Sequence, residues 1–239
     1  MKITIGHLFP DLLNLYGDRG NIAALCMRMN LRGIETEVKT YDINDGINFA
    51  DLDIVFIGGG SDREQLLVCK RLLKIKSDIS QYVENNGTLI AVCGGYQLLG
   101  HYYQLENEKI EGLDILDICT VQKSPRLIGN IILESDYISS TVVGFENHGG
   151  RTYTGSHTPL GKVLFGHGND GESGFEGVVY KNVIATYLHG PLLPKNPVLT
   201  DRIIKNAVLK KDSQFMLSDI DSTLENTAHN YILNRFLKP

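Results

Sequence analysis

The chain has 239 residues, a formal net charge of −5, 42% hydrophobic residues and 21% charged residues. This is enough apolar material for one or two packed cores. An acidic balance without a basic stripe or aromatic–basic interleaving sets nucleic acid aside as a partner. Four cysteines, Cys26, Cys69, Cys93 and Cys119, stand far apart with no C-x-x-C pair. That spacing argues against a zinc knuckle or a disulfide framework, predicts no metal site and points to a reducing compartment. His7, Pro10 and Asp11 interrupt the apolar N-terminus before a signal-peptide core forms. Residues 85–105 carry no formal charge and are long enough to cross a bilayer, but their Asn, Gln, His101 and Gly content makes insertion costly. The expectation is a cytoplasmic protein with no transmembrane segment.

In chain order, residues 2–7 read as a first strand, and Asp18-Arg19-Gly20-Asn21 reads as a turn leading into a helix over about 22–31. Gly33 ends that helix, and 34–41 alternates as a strand does. Residues 53–57 (D-I-V-F-I) form a buried-strand pattern running into Gly58-Gly59-Gly60. Ser61 and Asp62 are placed to cap a helix carrying Leu66, Cys69 and Leu73 on one side. A helical stretch over 79–84 leads to the strand before Cys93. Such alternation predicts a mainly parallel sheet flanked by helices, with ligands at the carboxyl ends of its strands. The second half differs: 109–120, 126–134, 142–147, 162–165, 176–180 and 184–188 are short strand candidates between glycine-rich turns, followed by helices over about 199–210 and 222–236. The reading is a single α/β domain over 1–239 with additional antiparallel strands in its second half.

The stretch G-T-L-I-A-V-C-G-G-Y-Q-L-L-G, residues 87–100, holds the strongest chemical signal. A β-rich run delivers Cys93 to two glycines and a helix-compatible Tyr-Gln-Leu-Leu, which is the pattern of a nucleophile elbow. At a helix N-terminus, unpaired N–H groups and the macrodipole favour thiolate, and the same groups serve an oxyanion. A buried structural cysteine is the competing reading. The second element is I-A-T-Y-L-H-G-P over 184–191, where a strand-like run presents His189 before Gly190-Pro191. A cysteine nucleophile needs a base, usually histidine. Of the seven histidines only His189 stands out, by its strand-end position.

These motifs resemble a family. G-G-G at 58–60, C-G-G-Y-Q at 93–97 and Y-L-H-G-P at 187–191 are similar to the class I glutamine amidotransferases, in the order and spacing of the cobyric acid synthase-like branch. Within it, I-G-G-G-S-D-R-E-Q (57–65), V-G-F-E-N-H-G-G-R-T (143–152) and L-H-G-P-L-L-P-K-N (188–196) resemble the glutaminase subunits of lipid II isoglutaminyl synthases, over nearly the whole chain. The resemblance implies hydrolysis of L-glutamine to glutamate and ammonia. Its implied partner is a Mur ligase-like subunit of the MurT type, forming a heterodimer that converts the D-glutamate of lipid II to D-isoglutamine. No cofactor is implied in this chain, ATP and Mg being expected on the partner.

By the same resemblance Cys93 is the nucleophile and His189 the general base. Gly59 or Gly60, with Gly94, supply oxyanion N–H groups. Arg126 binds the glutamine α-carboxylate, and Gln97 either lines the pocket or supports the elbow helix. Asn147, His148 and Arg151 belong to the subfamily signature and otherwise read as a polar turn. Many family members carry H-x-E, but the third position here is Pro191, so a Cys–His dyad is expected, with Glu146 as an open candidate to orient His189. Two rivals remain: a cysteine peptidase or DJ-1-like hydrolase on the same scaffold, and a non-catalytic regulatory subunit.

Overall fold

The computed structural model describes residues 1–15 and 17–237. Its first half runs β1 (Lys2–Leu8), α1 (Arg19–Asn30), β2 (Glu35–Tyr41), β3 (Ile54–Ile57), α2 (Asp62–Lys74), α3 (Lys76–Glu84), β4 (Thr88–Val92) and α4 (Gly94–Leu98). The second half is strand-rich: β5 (Tyr102–Gln104), β6 (Lys109–Glu111), β7 (Cys119–Ser135), β8 (Ser140–Tyr153), β9 (Gly161–Phe165), β10 (Phe175–Glu176), β11 (Val178–Tyr180) and β12 (Val183–Thr186), followed by α5 (Pro197–Lys211) and α6 (Thr223–Phe236).

One six-stranded sheet has the order β11-β12-β4-β3-β1-β2. All its pairings are parallel except β11 with β12. Every residue of β3, β4 and β12 is buried, as expected of central parallel strands covered on both faces. Each fully buried Ile, Leu or Val there contributes on the order of 1.5–3 kcal/mol. Helices α1 and α5 pack on each other, while α2 packs on α3 and α4. The second sheet is mostly antiparallel, in the order β10-β9-β7-β5-β6 with β8 paired to β7. The expected α/β class, with antiparallel strands added in the second half, is what the molecule has.

Several local expectations are corrected. Helix α1 begins at Arg19, so the Arg-Gly-Asn read as a turn is its first turn. The buried stripe of α2 is Gln65, Val68, Cys69 and Leu72, while Leu73 is exposed. Its start is fixed by Ser61, whose N–H donates to the Glu64 carboxylate at 3.0 Å. The strand expected over 109–120 stops at Glu111: Gly112 approaches the Gly100 carbonyl so closely that a Cβ would lie 2.0 Å from it, and the chain then turns until Cys119. The sequence pattern carries no strand signal for the three-residue β5. Gly177, at φ +67°, splits 176–180 into β10 and β11. The strand over 184–188 ends at Thr186. Asn147, His148 and Arg151 lie inside β8 rather than in a turn.

The loop after β3 and the start of α4, which follows β4, meet at the site. The Gly95 N–H donates to the Gly58 carbonyl at 3.1 Å, and a Cβ on Gly95 would lie 2.7 Å from the Ile57 carbonyl oxygen. Backbone cannot move aside as a flexible side chain can, so Gly95→Ala is expected to destabilise the protein by about 1–3 kcal/mol. Urea unfolding measures it, and an unchanged midpoint would contradict this packing.

Candidate functional site

Cys93 follows β4 directly and holds φ +52°, ψ −106°. A non-glycine residue rarely adopts such a backbone, and this is the sharp strand-to-helix turn the sequence pattern predicts. The turn persists because its surroundings allow nothing else. The Cys93 N–H donates to the Thr186 carbonyl at 2.8 Å, and the Cys93 carbonyl accepts the Gln97 N–H at 3.1 Å. A Cβ on Gly94 would lie 2.7 Å from the Gln65 side-chain amide.

His189 reaches the same edge from the neighbouring strand. β12 runs parallel to β4 with Thr186 opposite Val92, so Cys93 and His189 both emerge at the carboxyl ends of adjacent parallel strands. His189 is buried. Its backbone exchanges two hydrogen bonds with Phe145, at 3.0 and 3.2 Å, which anchors the segment to β8 after β12 has ended. The glycine loop, Gly58-Gly59-Gly60, lies on the other side of Cys93: a Cβ on Gly59 would be 3.0 Å from the Cys93 Cβ and 3.6 Å from its Sγ.

Arg126 is placed by an irregularity in β7. Between the Gln122–Gly150 and Leu127–His148 pairs, residues Lys123, Ser124, Pro125 and Arg126 lie opposite Gly149 alone. Pro125 has no N–H to give the ladder, and the excess residues loop out as a wide bulge. Arg126 is exposed there, its Nε donating to Asn147 Oδ1 at 3.1 Å and its Nη2 to the Asn147 carbonyl at 2.9 Å. Its charge acts on both Cys93 and His189. Arg151, by contrast, is buried and spends its guanidinium on the carbonyls of Gly149, Gly150 and Pro125. Its place is structural.

Other expectations sort themselves by contact. The Gln97 Nε2 donates to the Tyr187 hydroxyl at 3.0 Å beneath the elbow helix, which matches the supporting role rather than the pocket-lining one. Glu146 accepts the N–H groups of His167 at 2.7 Å and Gly168 at 3.0 Å, and sits 3.6 Å from His148 Nε2. It is committed to the 166–168 turn and to His148, whose ring stacks on Tyr187 at 3.7 Å between centroids. The Gly59 N–H, expected as an oxyanion donor, is already given to the Asp18 carboxylate at 2.9 Å. Gly60 and Gly94 are the glycines left for that purpose.

The electrostatics correct the expectation of a thiolate. Burial pushes the Cys93 thiol up to about 12, the Asp18 charge adding to it, and the Gly94 N–H and Arg126 only partly oppose this. The helix behind Cys93 is five residues long, too short for its dipole to outweigh full desolvation. His189 is held down to about 4, mainly by burial and further by His148, Arg126 and Lys195. At rest the Cys93 thiol and the His189 imidazole are therefore both neutral. Two residues carry no signal in the sequence: Asp18, which reads as turn polarity, and Tyr103, a buried residue whose phenol feels the charges of Asp62, Cys93 and Arg126. Among the described residues no group of three or more His, Cys, Asp or Glu side chains is arranged to hold a metal ion, and no helix is long and apolar enough to cross a membrane.

Behind the site, the fully buried Glu176 carboxyl accepts the Thr186 hydroxyl and, at 2.8 Å, the Tyr187 N–H. Burial pushes it up to about 7 from 4.5. Because the folded pKa lies above the unfolded one, this group stabilises the fold fully only below the unfolded value, and that stability is lost as pH rises through the folded one. The shift amounts to about 3 kcal/mol. Glu176→Gln cannot ionise, so its loss of stability between about pH 4.5 and pH 8 should be smaller than that of the unaltered protein by about this amount. Equal pH slopes in urea unfolding would contradict the assignment.

Comparison with known proteins gives a consistent picture. Residues 4–197 match the CobB/CobQ-like glutamine amidotransferase domain. The chain is 46% identical to the GatD subunit of lipid II isoglutaminyl synthase (glutamine-hydrolyzing) from Staphylococcus aureus, over 98% of this chain and 96% of that one. It is 40% identical to the GatD subunit from Streptococcus pneumoniae, over 89% and 83% respectively. Cobyric acid synthase from Listeria innocua is 29% identical over 83% of this chain and 40% of its own length. Among solved structures, a glutamine amidotransferase superposes with a TM-score of 0.58 at 16% identity, covering 85% of this chain and 98% of that one. The glutaminase domain of Trypanosoma brucei CTPS does so with 0.56 at 14%, covering 92% and 98%. At these identities the two structures attest the fold.

Proposed function

Because this chain belongs to the CobB/CobQ-like glutamine amidotransferase family, we propose that it is the glutamine-hydrolysing subunit of a lipid II isoglutaminyl synthase, acting through Cys93 and His189 as a single amidotransferase unit. The observation that carries this reading is the near full-length similarity to relatives of that name, joined to an intact elbow with Cys93 at φ +52°.

The chemistry follows from the resting charges. Glutamine enters with its α-carboxylate on the exposed Arg126 guanidinium, which suits a carboxylate fork. Cys93 Sγ attacks the side-chain amide carbon while its proton passes to His189, which is neutral at working pH and so able to accept it. Negative charge on the former carbonyl oxygen is met by the N–H groups of Gly60 and Gly94. The imidazolium returns its proton to the amide nitrogen, the carbon–nitrogen bond breaks, and ammonia leaves a γ-glutamyl thioester on Cys93. Water, deprotonated by His189, then releases glutamate and restores the thiol. A buried site with an uncharged resting pair suits this sequence, because charge appears only as substrate contacts form. The partner in this reading is a Mur ligase-like subunit that holds ATP and Mg and activates the D-glutamate α-carboxylate of lipid II for attack by the ammonia.

Two outcomes test it. In the complex with the amidating partner, Cys93→Ala should abolish glutamine-dependent product, while high ammonium at alkaline pH, where free ammonia accumulates, should restore it. A variant complex that assembles yet stays inactive with ammonia would contradict the division of labour. Arg126→Ala removes a charge-assisted bond worth about 1.5–3 kcal/mol and should raise the KM for glutamine roughly 10- to 100-fold with the fold intact. Unchanged glutamine kinetics would remove Arg126 from the binding role.

A further inference from the structure

The Asp18-Arg19-Gly20-Asn21 stretch takes no part in the chemistry above, yet Asp18 is 1% exposed and Asn21 0%. Asp18 Oδ2 accepts the Gly59 N–H at 2.9 Å. Asn21 Nδ2 donates to Asp18 Oδ1 at 3.4 Å, and Asn21 Oδ1 accepts the Leu193 N–H at 2.8 Å. Leu193 lies a few residues past His189. Between them Pro191 packs on the start of α1 so closely that a Cβ on Gly20 would be 2.6 Å from its Cγ. One chain of buried hydrogen bonds thus joins the glycine loop on one side of Cys93 to the His189 segment on the other.

The peptide groups of the loop indicate what this link does. The Gly58 carbonyl accepts the Gly95 N–H at 3.1 Å, the Gly59 carbonyl accepts the Leu15 N–H at 3.0 Å, and the Gly60 carbonyl accepts Gln65 Nε2 at 3.1 Å. In a trans peptide the N–H points opposite to the C=O. The Gly60 N–H shares a peptide with the Gly59 carbonyl, so it is directed away from Leu15. Asp18 is the partner on the N–H side of the Gly58–Gly59 peptide, and without it that peptide would keep only its carbonyl bond to Gly95, leaving the Gly59–Gly60 plane held by Leu15 alone.

We propose that Asp18 is a positioning residue for glutamine hydrolysis: by taking the Gly59 N–H it fixes the loop so that Gly60 presents its N–H to the oxyanion, and through Asn21 it keeps the His189 segment in the same frame. This rests on the hydrolysis at Cys93 proposed above. Asp18 touches neither substrate nor sulfur in this scheme. Its effect is to hold a preorganised donor, and a misplaced oxyanion donor lowers kcat rather than substrate binding.

The test uses the full chain with its amidating partner. Asp18→Ala should lower kcat for glutamine hydrolysis at least roughly tenfold while KM stays within about twofold, the pattern of a lost transition-state contact. Asp18→Asn, whose Oδ1 still accepts the Gly59 N–H, should recover most of the rate. Alkylation of Cys93 by iodoacetamide, a displacement at carbon that forms no oxyanion, should not slow in either variant. Full turnover in Asp18→Ala would overturn the proposal. So would turnover and alkylation falling together without recovery in Asp18→Asn, which would mark general disruption. Amide hydrogen exchange on the unaltered chain tests the link whether or not the variants fold: the Gly59 proton should be protected, and exchange at the rate of an open loop would overturn it. An unaltered chain that alkylates at Cys93 but does not hydrolyse glutamine counts against the proposed function, and Gly59 exchange then decides the link.

Discussion

The backbone of Cys93, at φ +52° and ψ −106°, costs on the order of 1–3 kcal/mol for a residue with a side chain, and most of the nearby architecture can be understood as holding it there. The parallel pairing of β4 with β12 fixes where the strand stops. The Cys93 N–H is bound to Thr186, so the turn cannot relax by lengthening β4. Gly94 and Gly95 then bring α4 so close to Gln65 and to the Ile57 carbonyl that no side chain fits. The strain has a consequence for chemistry: it projects the sulfur off the sheet edge, between the glycine loop and the His189 segment, which different strands deliver.

Burial sets the second constraint. Desolvation raises the Cys93 thiol and depresses the His189 imidazole, so both groups rest uncharged. A preformed thiolate would react with many electrophiles. A neutral thiol becomes nucleophilic only when a bound substrate offers a carbonyl whose developing charge the backbone N–H groups can meet. Arg126 lies apart from this, on an exposed bulge of the second sheet. Cys93 and His189 thus lie buried at the edge of the parallel sheet, while Arg126, the recognition group in the reading proposed here, is exposed on the antiparallel one.

The parallel half was largely legible in the sequence, because fully buried strands such as 54–57 and 88–92 are short, β-rich apolar runs, and their length and their Gly, Asn or Asp flanks favour strand over buried helix. The placement of Cys93 was legible for a related reason, since a strand running into Gly-Gly is a local signal, whereas His189 comes after β12 has ended at Thr186 and is held at the sheet edge by Phe145. Tertiary effects were not. The Gly112–Gly100 approach that breaks 109–120 depends on residues brought together by folding. His148 and Arg151 look like turn polarity until β8 buries them against their own partners. Asp18 carries turn chemistry in sequence and spends it on Gly59, far away in the chain. The expected thiolate failed because a sequence reveals the helix N-terminus but not the depth of burial.

The central claim is that Cys93 is acylated by glutamine on this strained turn. Rapid acid quenching during turnover, followed by mass spectrometry of the intact chain and its peptides, tests it most directly. The account predicts a transient mass increase of one γ-glutamyl group, localised to the peptide containing Cys93 and discharged when glutamine is exhausted. Ammonia release at full rate with the label on another residue, or with no acylated protein at any quench time, would contradict it.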